Sequence, residues 1–191
     1  RIAIFASGGG SNALQLLNHF QESTTGEVVL LVTHNLHSGV FDFGPKFEVP
    51  VGLISKKQSR DGAYLQQLLE DHSIDLIVLA GYLKLIPESI VRKFDQRIIN
   101  IHPALLPAYG GKGMYGMKVH EAVIEAQELH SGLTIHYVNE VYDQGEILFQ
   151  KRVKIEDGWT AKQLQVAILK EEHKNFSKIV EKVCADLLKG T

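Results

Sequence analysis

The sequence predicts an α/β fold in which an open, mostly parallel, twisted sheet carries helices on both faces. Two observations predict it. Short apolar runs alternate with amphipathic helical segments along most of the 191 residues. Some of these runs, such as Ile74–Ala80, are continuously apolar, which is typical of strands covered on both faces. The alternation implies right-handed crossovers between parallel strands.

The first half of the chain supplies four strands and three helices. Each strand is an apolar run bounded by polar residues or glycine, and we predict Ile2–Ala6, Val28–Thr33, Val51–Ser55 and Ile74–Ala80. Apolar residues at helical spacing predict helices over Ser11–Gln21, Asp61–His72 and Pro87–Phe94. Pro87 suits the first turn of its helix, where the missing N–H is not needed.

The second half predicts a change of strand direction. Ile98–Ile101 is an apolar strand, and Met117–Gln127 and Thr160–Leu188 are helical. Leu133–Val138 and Ile147–Ile155 have no long helix between them, and the second is too polar for burial on both faces. We therefore expect an antiparallel edge on the parallel sheet near the C-terminal half.

Composition excludes several classes of protein. Hydrophobic residues make up 45% and charged residues 22%, and the net charge is −2. The chain therefore lacks the excess of basic residues that would indicate nucleic acid or an anionic membrane as a partner. No run of about 18 apolar residues is present. The single cysteine, Cys184, excludes a disulfide framework and fits a reducing compartment. We expect one cytoplasmic domain spanning residues 1–191.

The most informative segment runs from Ile99 to Pro107, where a strand ends with Asn100 and His102 two residues apart. Side chains alternate along a strand, so these two point to the same side. An amide donor beside a general acid or base suits a reaction whose transition state carries an oxyanion. The alternative is a strand end whose polar residues only satisfy the loop.

Three glycines between the first strand and the first helix predict an anion site. Gly10, Ser11 and Asn12 bring free N–H groups and the positive end of a helix together, and Ser11 or Asn12 can cap it. The P-loop lysine is absent and the dinucleotide fingerprint is incomplete, so we expect a mononucleotide-like phosphate rather than NAD or ATP. A tight turn with an ordinary cap is the alternative.

Two further carboxylates stand out. Asp143 lies in the polar loop 139–145, and if that loop folds over the strand ends, Asp143 approaches His102 and raises its pKa. As a plain turn, the loop needs no function. Glu172 falls on the apolar stripe of the last helix, so it either faces inward towards a partner or reaches solvent at the edge of the stripe. The nine histidines show no metal-ligand spacing.

These motifs together resemble a known family. Gly-Gly-Gly-Ser-Asn, Leu79-Ala80-Gly81-Tyr82, Asn100-Ile101-His102-Pro103 with Leu105-Leu106-Pro107, and the Asp143 loop occur in the order found in the folate-dependent formyltransferases, and among them in the phosphoribosylglycinamide formyltransferases (glycinamide ribonucleotide transformylases). The resemblance implies a Rossmann-like formyltransferase fold. It also implies formyl transfer from 10-formyltetrahydrofolate to the amine of glycinamide ribonucleotide in purine biosynthesis, without metal.

The resemblance implies a role for individual residues. His102 is the general acid/base, Asn100 the oxyanion donor and Asp143 the carboxylate that tunes His102. Gly10, Ser11 and Asn12 hold the ribose phosphate, and Glu172 contacts the ribonucleotide. Folate is expected to contact Arg60, Leu83, Lys84, Leu85, Ile86, Asn100, Asn139, Glu140, Val141, Tyr142 and Asp143. Residues 1–95 are then mainly the phosphate-binding half and 96–191 the catalytic and folate-binding half, in a monomer or weak homodimer.

The chain also departs from the family pattern. Tyr82, Leu83 and Lys84 stand where the family commonly has Phe, Met and Arg, and the glycine-rich segment from Gly110 to Met114 looks longer than usual. Two rival functions stay open. One is another formyl-folate enzyme, such as a deformylase or a transferase with a different acceptor. The other is a nucleotide-binding module without catalysis, which would not need Asn100, His102 and Asp143 together.

Overall fold

The computed structural model describes residues 1–190, which fold around one seven-stranded sheet of order β3-β2-β1-β4-β5-β6-β7. The strands are β1 (Ile2–Phe5), β2 (Val28–Thr33), β3 (Val51–Leu53), β4 (Leu76–Leu79), β5 (Ile98–His102), β6 (His130–Tyr137) and β7 (Ile147–Lys154). The first five are parallel, and β6 and β7 pair antiparallel at one edge. The predicted fold class is confirmed, including the reversal of strand direction.

Six α-helices surround the sheet. They are α1 (Ser11–Phe20), α2 (Val40–Lys46), α3 (Gly62–Asp71), α4 (Glu88–Lys93), α5 (Met117–Glu125) and α6 (Ala161–Lys189), with a short 3-10 helix at Gln58–Arg60. Asp61 caps α3 by accepting from the N–H of Tyr64, and Thr160 forms a capping box with Gln163 at the start of α6. Among the described residues, no helix is both long and apolar enough to cross a membrane.

Two hydrophobic clusters cover the two faces of the sheet. Residues of β1 alternate between them, with Ile2 and Ile4 in one and Ala3 and Phe5 in the other, as the two-residue period of a strand requires. The first cluster is completed by α1 and α6, and the second by α3 and α4. Burial on both faces explains why the central strands are continuously apolar.

Helix α2 was not predicted from the sequence. It contains Gly44 and Pro45, both unfavourable within helices, and it forms because Val40 and Gly44 are buried against the rest of the fold. Its N-cap, Gly39, packs against the glycine loop: the N–H of Gly39 donates to the carbonyl of Gly8 at 3.1 Å. A methyl group on Gly39 would stand 2.2 Å from the carbonyl oxygen of Gly9. The start of helix α2 therefore packs directly against the glycine loop and holds its backbone in place.

The register of the sheet brings three loops to one edge. Phe5, Leu79 and Asn100 are cross-strand partners on β1, β4 and β5. Because these strands are parallel, the segments that follow them leave the sheet at the same carboxyl edge. The glycine loop after β1, the Gly81–Leu83 turn after β4 and the end of β5 therefore lie side by side, where open α/β sheets bind ligands.

Candidate active site

A cavity of about 400 Å³ opens at this edge of the sheet. Its walls are mostly apolar, and two amides, two imidazoles, two ammonium groups and a carboxylate lie among the lining residues. The lining residues include Leu79, Tyr82, Leu83, Lys84, Leu85, Ile86, Asn100, His102, Pro103, Gly111, Lys112, Tyr115, His136, Val138, Asn139, Val141, Tyr142 and Asp143. Such a cavity fits a largely apolar ligand whose reacting group meets the polar cluster.

Asn100, His102 and Asp143 come together in this cavity although 43 positions separate the first from the last. The Asn100 amide nitrogen lies 3.5 Å from Asp143 Oδ1, and His102 Nδ1 lies 3.7 Å from Asp143 Oδ2. The histidine side chain is 5% exposed and the aspartate side chain 11%. The loop 139–145 does fold over the strand ends, as one of the two sequence interpretations required.

The protonated nitrogen of His102 follows from its surroundings. His102 Nε2 lies 2.8 Å from the backbone carbonyl of Tyr109, which can only accept a hydrogen bond. In the neutral ring, Nε2 therefore carries the hydrogen and Nδ1 has a free lone pair. Nδ1 is also the nitrogen near Asp143, so the atom that can take up a proton faces the carboxylate.

His136 is a functional candidate that the sequence interpretation missed. It is buried and lies directly across from Asn100 in the β5–β6 pair. Its Nδ1 donates to the carbonyl of Tyr137 at 2.8 Å, so Nε2 accepts from the Asn100 amide nitrogen at 3.1 Å. This bond fixes the orientation of the Asn100 amide, with its NH2 group directed towards His136 and Asp143.

The charges of the site are set by competing effects. Burial lowers the pKa of His102 more than Asp143 and the Tyr109 carbonyl raise it, so the pKa lies below the ordinary value. The sequence predicted a raised pKa; Asp143 acts in that direction, but burial is stronger. Burial raises the pKa of Asp143, yet the N–H of Gly111 and the neighbouring His102 and His136 rings favour the carboxylate, and the pKa lies below its ordinary value. The resting site pairs an ionised carboxylate with a neutral imidazole.

Side-chain hydrogen bonds hold Asp143 and the segment after His102 in place. Asp143 has a left-handed φ of 54°, and its Oδ2 accepts from the N–H of Gly111 at 2.8 Å. The hydroxyl of Thr134 donates to the carbonyl of Ala104 at 2.6 Å and accepts from the N–H of Leu106 at 3.0 Å. Gln150 adds a bond to the Leu106 carbonyl at 2.9 Å. The segment after His102 is therefore tied to β6 and β7.

The glycine loop and the last helix form a second polar group. Gly10, with φ of 72°, is the N-cap of α1, so Ser11 is the first helical residue and neither Ser11 nor Asn12 caps the helix, contrary to the sequence expectation. The Asn12 amide donates to Glu172 Oε2 at 2.7 Å, and both residues are buried. Burial raises the pKa of Glu172 despite this bond. Glu172 thus faces inward, against the start of α1.

The loops of the two polar groups are connected. The N–H of Ser7 donates to the carbonyl of Gly81 at 3.1 Å, and the N–H of Leu83 donates to Ser7 Oγ at 3.0 Å. The beginning of the glycine loop is therefore tied to the turn that forms one wall of the cavity. Within residues 1–190, no three His, Cys, Asp or Glu side chains are grouped as they would be to hold a metal ion.

Two residues expected at the folate pocket lie elsewhere. Arg60 ends the 3-10 helix in an exposed position outside the cavity walls; its expected place rested on spacing in an irregular segment. Glu140 turns outward and pairs with Arg92 at 2.8 Å. The other residues expected there line the cavity: Leu83, Lys84, Leu85, Ile86, Asn100, Asn139, Val141, Tyr142 and Asp143.

Comparison with known proteins decides the family. A sequence model described as formyl transferase matches residues 1–180. The chain belongs to the formyl transferase family. It is 43% identical to "Phosphoribosylglycinamide formyltransferase, chloroplastic" of Arabidopsis thaliana, covering 99% of this chain and 67% of the relative. It is 32% identical to the phosphoribosylglycinamide formyltransferase of Bacillus subtilis, covering 96% and 94% of the two chains.

Solved structures agree with this assignment. The crystal structure of phosphoribosylglycinamide formyltransferase from Bacillus halodurans superposes with a TM-score of 0.86 at 34% identity, covering 96% of this chain and 94% of that one. The resemblance drawn from the sequence motifs is therefore confirmed, and the chain is an enzyme of the formyl-group transferases.

Proposed function

We propose that this enzyme transfers the formyl group of 10-formyltetrahydrofolate to the amine of glycinamide ribonucleotide, giving the N-formyl product and tetrahydrofolate in de novo purine biosynthesis. The observation that carries the proposal is the gathering of Asn100, His102 and Asp143 at an apolar cavity beside the glycine loop. The names of the relatives at 43% and 32% identity support the same acceptor.

The cavity suits the formyl donor. Its volume of about 400 Å³ lies within the range of about 300–1,000 Å³ common for small-molecule sites. Apolar side chains such as Leu85, Ile86 and Val138 supply surface for a flat heterocycle, and Lys84 and Lys112 supply positive charge for carboxylates. In this proposal the formyl group lies against the polar cluster of Asn100, His102 and Asp143.

The acceptor is assigned to the glycine loop. The first N–H groups of α1 have no partner carbonyl within the helix, and the helix N-terminus favours a phosphate there. Asn12 Oδ1 is buried without a hydrogen-bond partner in the described part of the chain, and Glu172 is buried beside it. These groups offer the ribonucleotide hydrogen bonds that the free enzyme does not use.

The proposed chemistry uses the three polar side chains of the cavity. The neutral amine attacks the formyl carbon, a C–N bond forms, and the carbonyl oxygen becomes an oxyanion. Asn100 donates to that oxyanion through its amide, and His102 takes up the amine proton at Nδ1. The imidazolium formed is stabilised by Asp143, and the proton passes to the folate nitrogen as the old C–N bond breaks. No covalent enzyme intermediate is required.

The remaining assignments rest on the same proposal. Residues 1–95 contribute the phosphate loop and residues 96–191 the catalytic groups, while both halves line the cavity. We propose a cytoplasmic monomer or weak homodimer acting on small molecules, without nucleic acid or membrane. Sedimentation velocity and cell fractionation test the assembly and the compartment; the Arabidopsis relative is named chloroplastic.

The deciding experiment mixes the purified enzyme with 10-formyltetrahydrofolate and glycinamide ribonucleotide. We expect stoichiometric N-formyl ribonucleotide and tetrahydrofolate by mass spectrometry, and loss of most turnover in His102→Ala with both substrates still bound. Formate release without ribonucleotide would instead identify a deformylase. Binding of the ribonucleotide without any formyl transfer would identify a binding module.

A further inference from the structure

The neutral ring of His102 has two neighbours that favour opposite tautomers. Asp143 Oδ2 lies 3.7 Å from Nδ1 and favours a hydrogen on that nitrogen. The backbone carbonyl of Tyr109 lies 2.8 Å from Nε2 and favours a hydrogen there instead. The contact with Tyr109 is the shorter one, and the tautomer that it selects leaves the lone pair of Nδ1 free beside Asp143.

Tyr109 reaches His102 through an uncommon backbone conformation. Its φ is 55°, in the left-handed region that a residue with a Cβ seldom adopts. Tyr109 lies seven positions after His102, beyond the end of β5, so the chain has to turn back before this carbonyl can face the ring. A left-handed residue other than glycine persists only where further contacts hold it.

The side chain of Tyr109 makes two such contacts. Its ring is partly buried and packs against the hydrophobic cluster that α1 and α6 complete. Its hydroxyl donates to Glu128 Oε1 at 2.8 Å, in the segment between α5 and β6. Tyr109 is not among the residues that line the cavity. Its side chain is therefore placed to hold the backbone without contacting a substrate there.

We propose that Tyr109 is a positioning residue for the formyl transfer: its side chain holds a left-handed backbone whose carbonyl keeps the His102 hydrogen on Nε2 and leaves Nδ1 free as the base. When this conformation relaxes, the hydrogen moves to Nδ1 and pairs with Asp143, so Nδ1 can no longer take up a proton. The inference rests on the proposed function, because it takes His102 to be the general base.

The test uses three variants of Tyr109. Tyr109→Ala removes the ring and the hydroxyl but leaves a residue for which this φ is strained. Tyr109→Gly removes the same atoms, yet glycine adopts a positive φ without steric cost. Tyr109→Phe keeps the ring and removes only the hydroxyl. Tyr64→Ala is the matched control, because Tyr64 is also a partly buried tyrosine packed against a hydrophobic cluster, and it does not line the cavity.

The measurements are kcat, the KM for each substrate, and the tautomer of His102. The ring ¹⁵N chemical shifts at about pH 8, where an ordinary imidazole is neutral, report which nitrogen carries the hydrogen. The signals of His102 are identified as those missing from the spectrum of His102→Ala. The tautomer is read without substrates, so it does not depend on catalysis.

In the wild type we expect the hydrogen on Nε2. In Tyr109→Ala we expect a mixture of tautomers and a kcat about 5- to 30-fold lower, the equivalent of a left-handed penalty of about 1–2 kcal/mol. Both KM values stay within about twofold of the wild type, because Tyr109 lies outside the cavity walls. Tyr109→Gly recovers part of the kcat and Tyr109→Phe most of it. Tyr64→Ala changes neither kcat nor the tautomer.

A wild-type His102 with its hydrogen on Nδ1 would overturn the inference without any variant. Tyr109→Ala with wild-type kcat and an unchanged tautomer would overturn it too, as would a higher KM with kcat preserved. So would a kcat lower in Tyr109→Gly than in Tyr109→Ala, because the left-handed backbone would then not be what the side chain holds. Failure of the proposed function looks different: the tautomer shifts in Tyr109→Ala as expected, yet the wild type transfers no formyl group.

Discussion

Replacing Asp143 by asparagine removes one negative charge from the site while keeping the size of the side chain. Asp143 Oδ2 lies 3.7 Å from His102 Nδ1, where two unit charges interact by about 4 kcal/mol at an effective dielectric constant of about 20. This is an upper limit. The N–H of Gly111 can hold the asparagine carbonyl oxygen at the same position, where its partial negative charge still faces His102. If about 3 kcal/mol of this stabilisation of the imidazolium is lost, kcat/KM falls roughly 10²-fold.

The pH dependence gives the sharper result. Burial lowers the pKa of His102 and Asp143 raises it, so the pKa falls further when the carboxylate is lost. The neutral ring is the proposed base, and kcat/KM therefore rises with pH through this pKa. In Asp143→Asn the acid limb of the kcat/KM profile moves to lower pH, and the plateau drops.

The assay records initial rates between about pH 5 and 9, with the ring of His102 titrated by NMR in the same variants. Glu140→Gln is the matched control, since that carboxylate lies in the same loop but pairs with Arg92 on the outside. The control keeps the wild-type profile. An acid limb that stays in place or moves to higher pH in Asp143→Asn refutes the electrostatic reasoning.

Three further predictions concern the acceptor side and the core. Gly39→Ala forces a methyl group against the carbonyl of Gly9, so we expect a loss of about 1–3 kcal/mol in stability and a higher KM for the ribonucleotide. Gly52→Ala is the control, because the nearest atom to its added methyl group is 3.7 Å away. Equal KM values in the two variants would contradict the role of α2. Burial raises the pKa of Glu172, so its ionised form destabilises the fold above the ordinary glutamate pKa. Glu172→Gln then raises the Tm at about pH 8. The gain is lost as the pH falls from the raised pKa of the folded protein to the ordinary value of about 4.3. A gain that grows on acidification would have the wrong sign. Burial raises the pKa of Cys184 to about 11, so iodoacetamide leaves the folded enzyme unmodified at neutral pH, and mass spectrometry detects any exception.

The sequence predicted every strand of the sheet. Most are distinct apolar runs, and Val28–Thr33 has the same bounds in the structure, while β7 is partly polar and was recognised as an edge strand. Helix α2 escaped prediction because its seven residues include Gly44 and Pro45. Local propensity opposes a helix there, and only burial against the fold makes it form. The short link before α3 has no periodicity, so the expectation for Arg60 rested on spacing alone, and Arg60 lies outside the cavity walls.

The part of the site at the end of β5 was predictable from the sequence. Asn100 and His102 share a face because they are two residues apart, and that follows from the sequence. His136 does not stand out, because a histidine in an apolar strand looks like a core residue. The antiparallel register pairs Asn100 with His136 and His102 with Thr134. Thr134 and His136 are also two residues apart, and this spacing was the available signal in the sequence. It points to the site only when the register of β5 and β6 is known, and the structure supplies that register.

The hydrogen bonds of the resting site indicate how it can respond to the reaction. The two hydrogens of the Asn100 amide are directed to His136 at 3.1 Å and to Asp143 at 3.5 Å. The second bond is long and therefore weak, so in the proposed reaction the oxyanion would displace Asp143 rather than His136. Asp143 would then lose a donor in the same proposed step in which His102 gains a proton at Nδ1, 3.7 Å away. The interaction of Asp143 with protonated His102 would replace its bond with Asn100, so the carboxylate keeps a partner. His136 would keep the Asn100 amide oriented while the second hydrogen of that amide turns to the substrate.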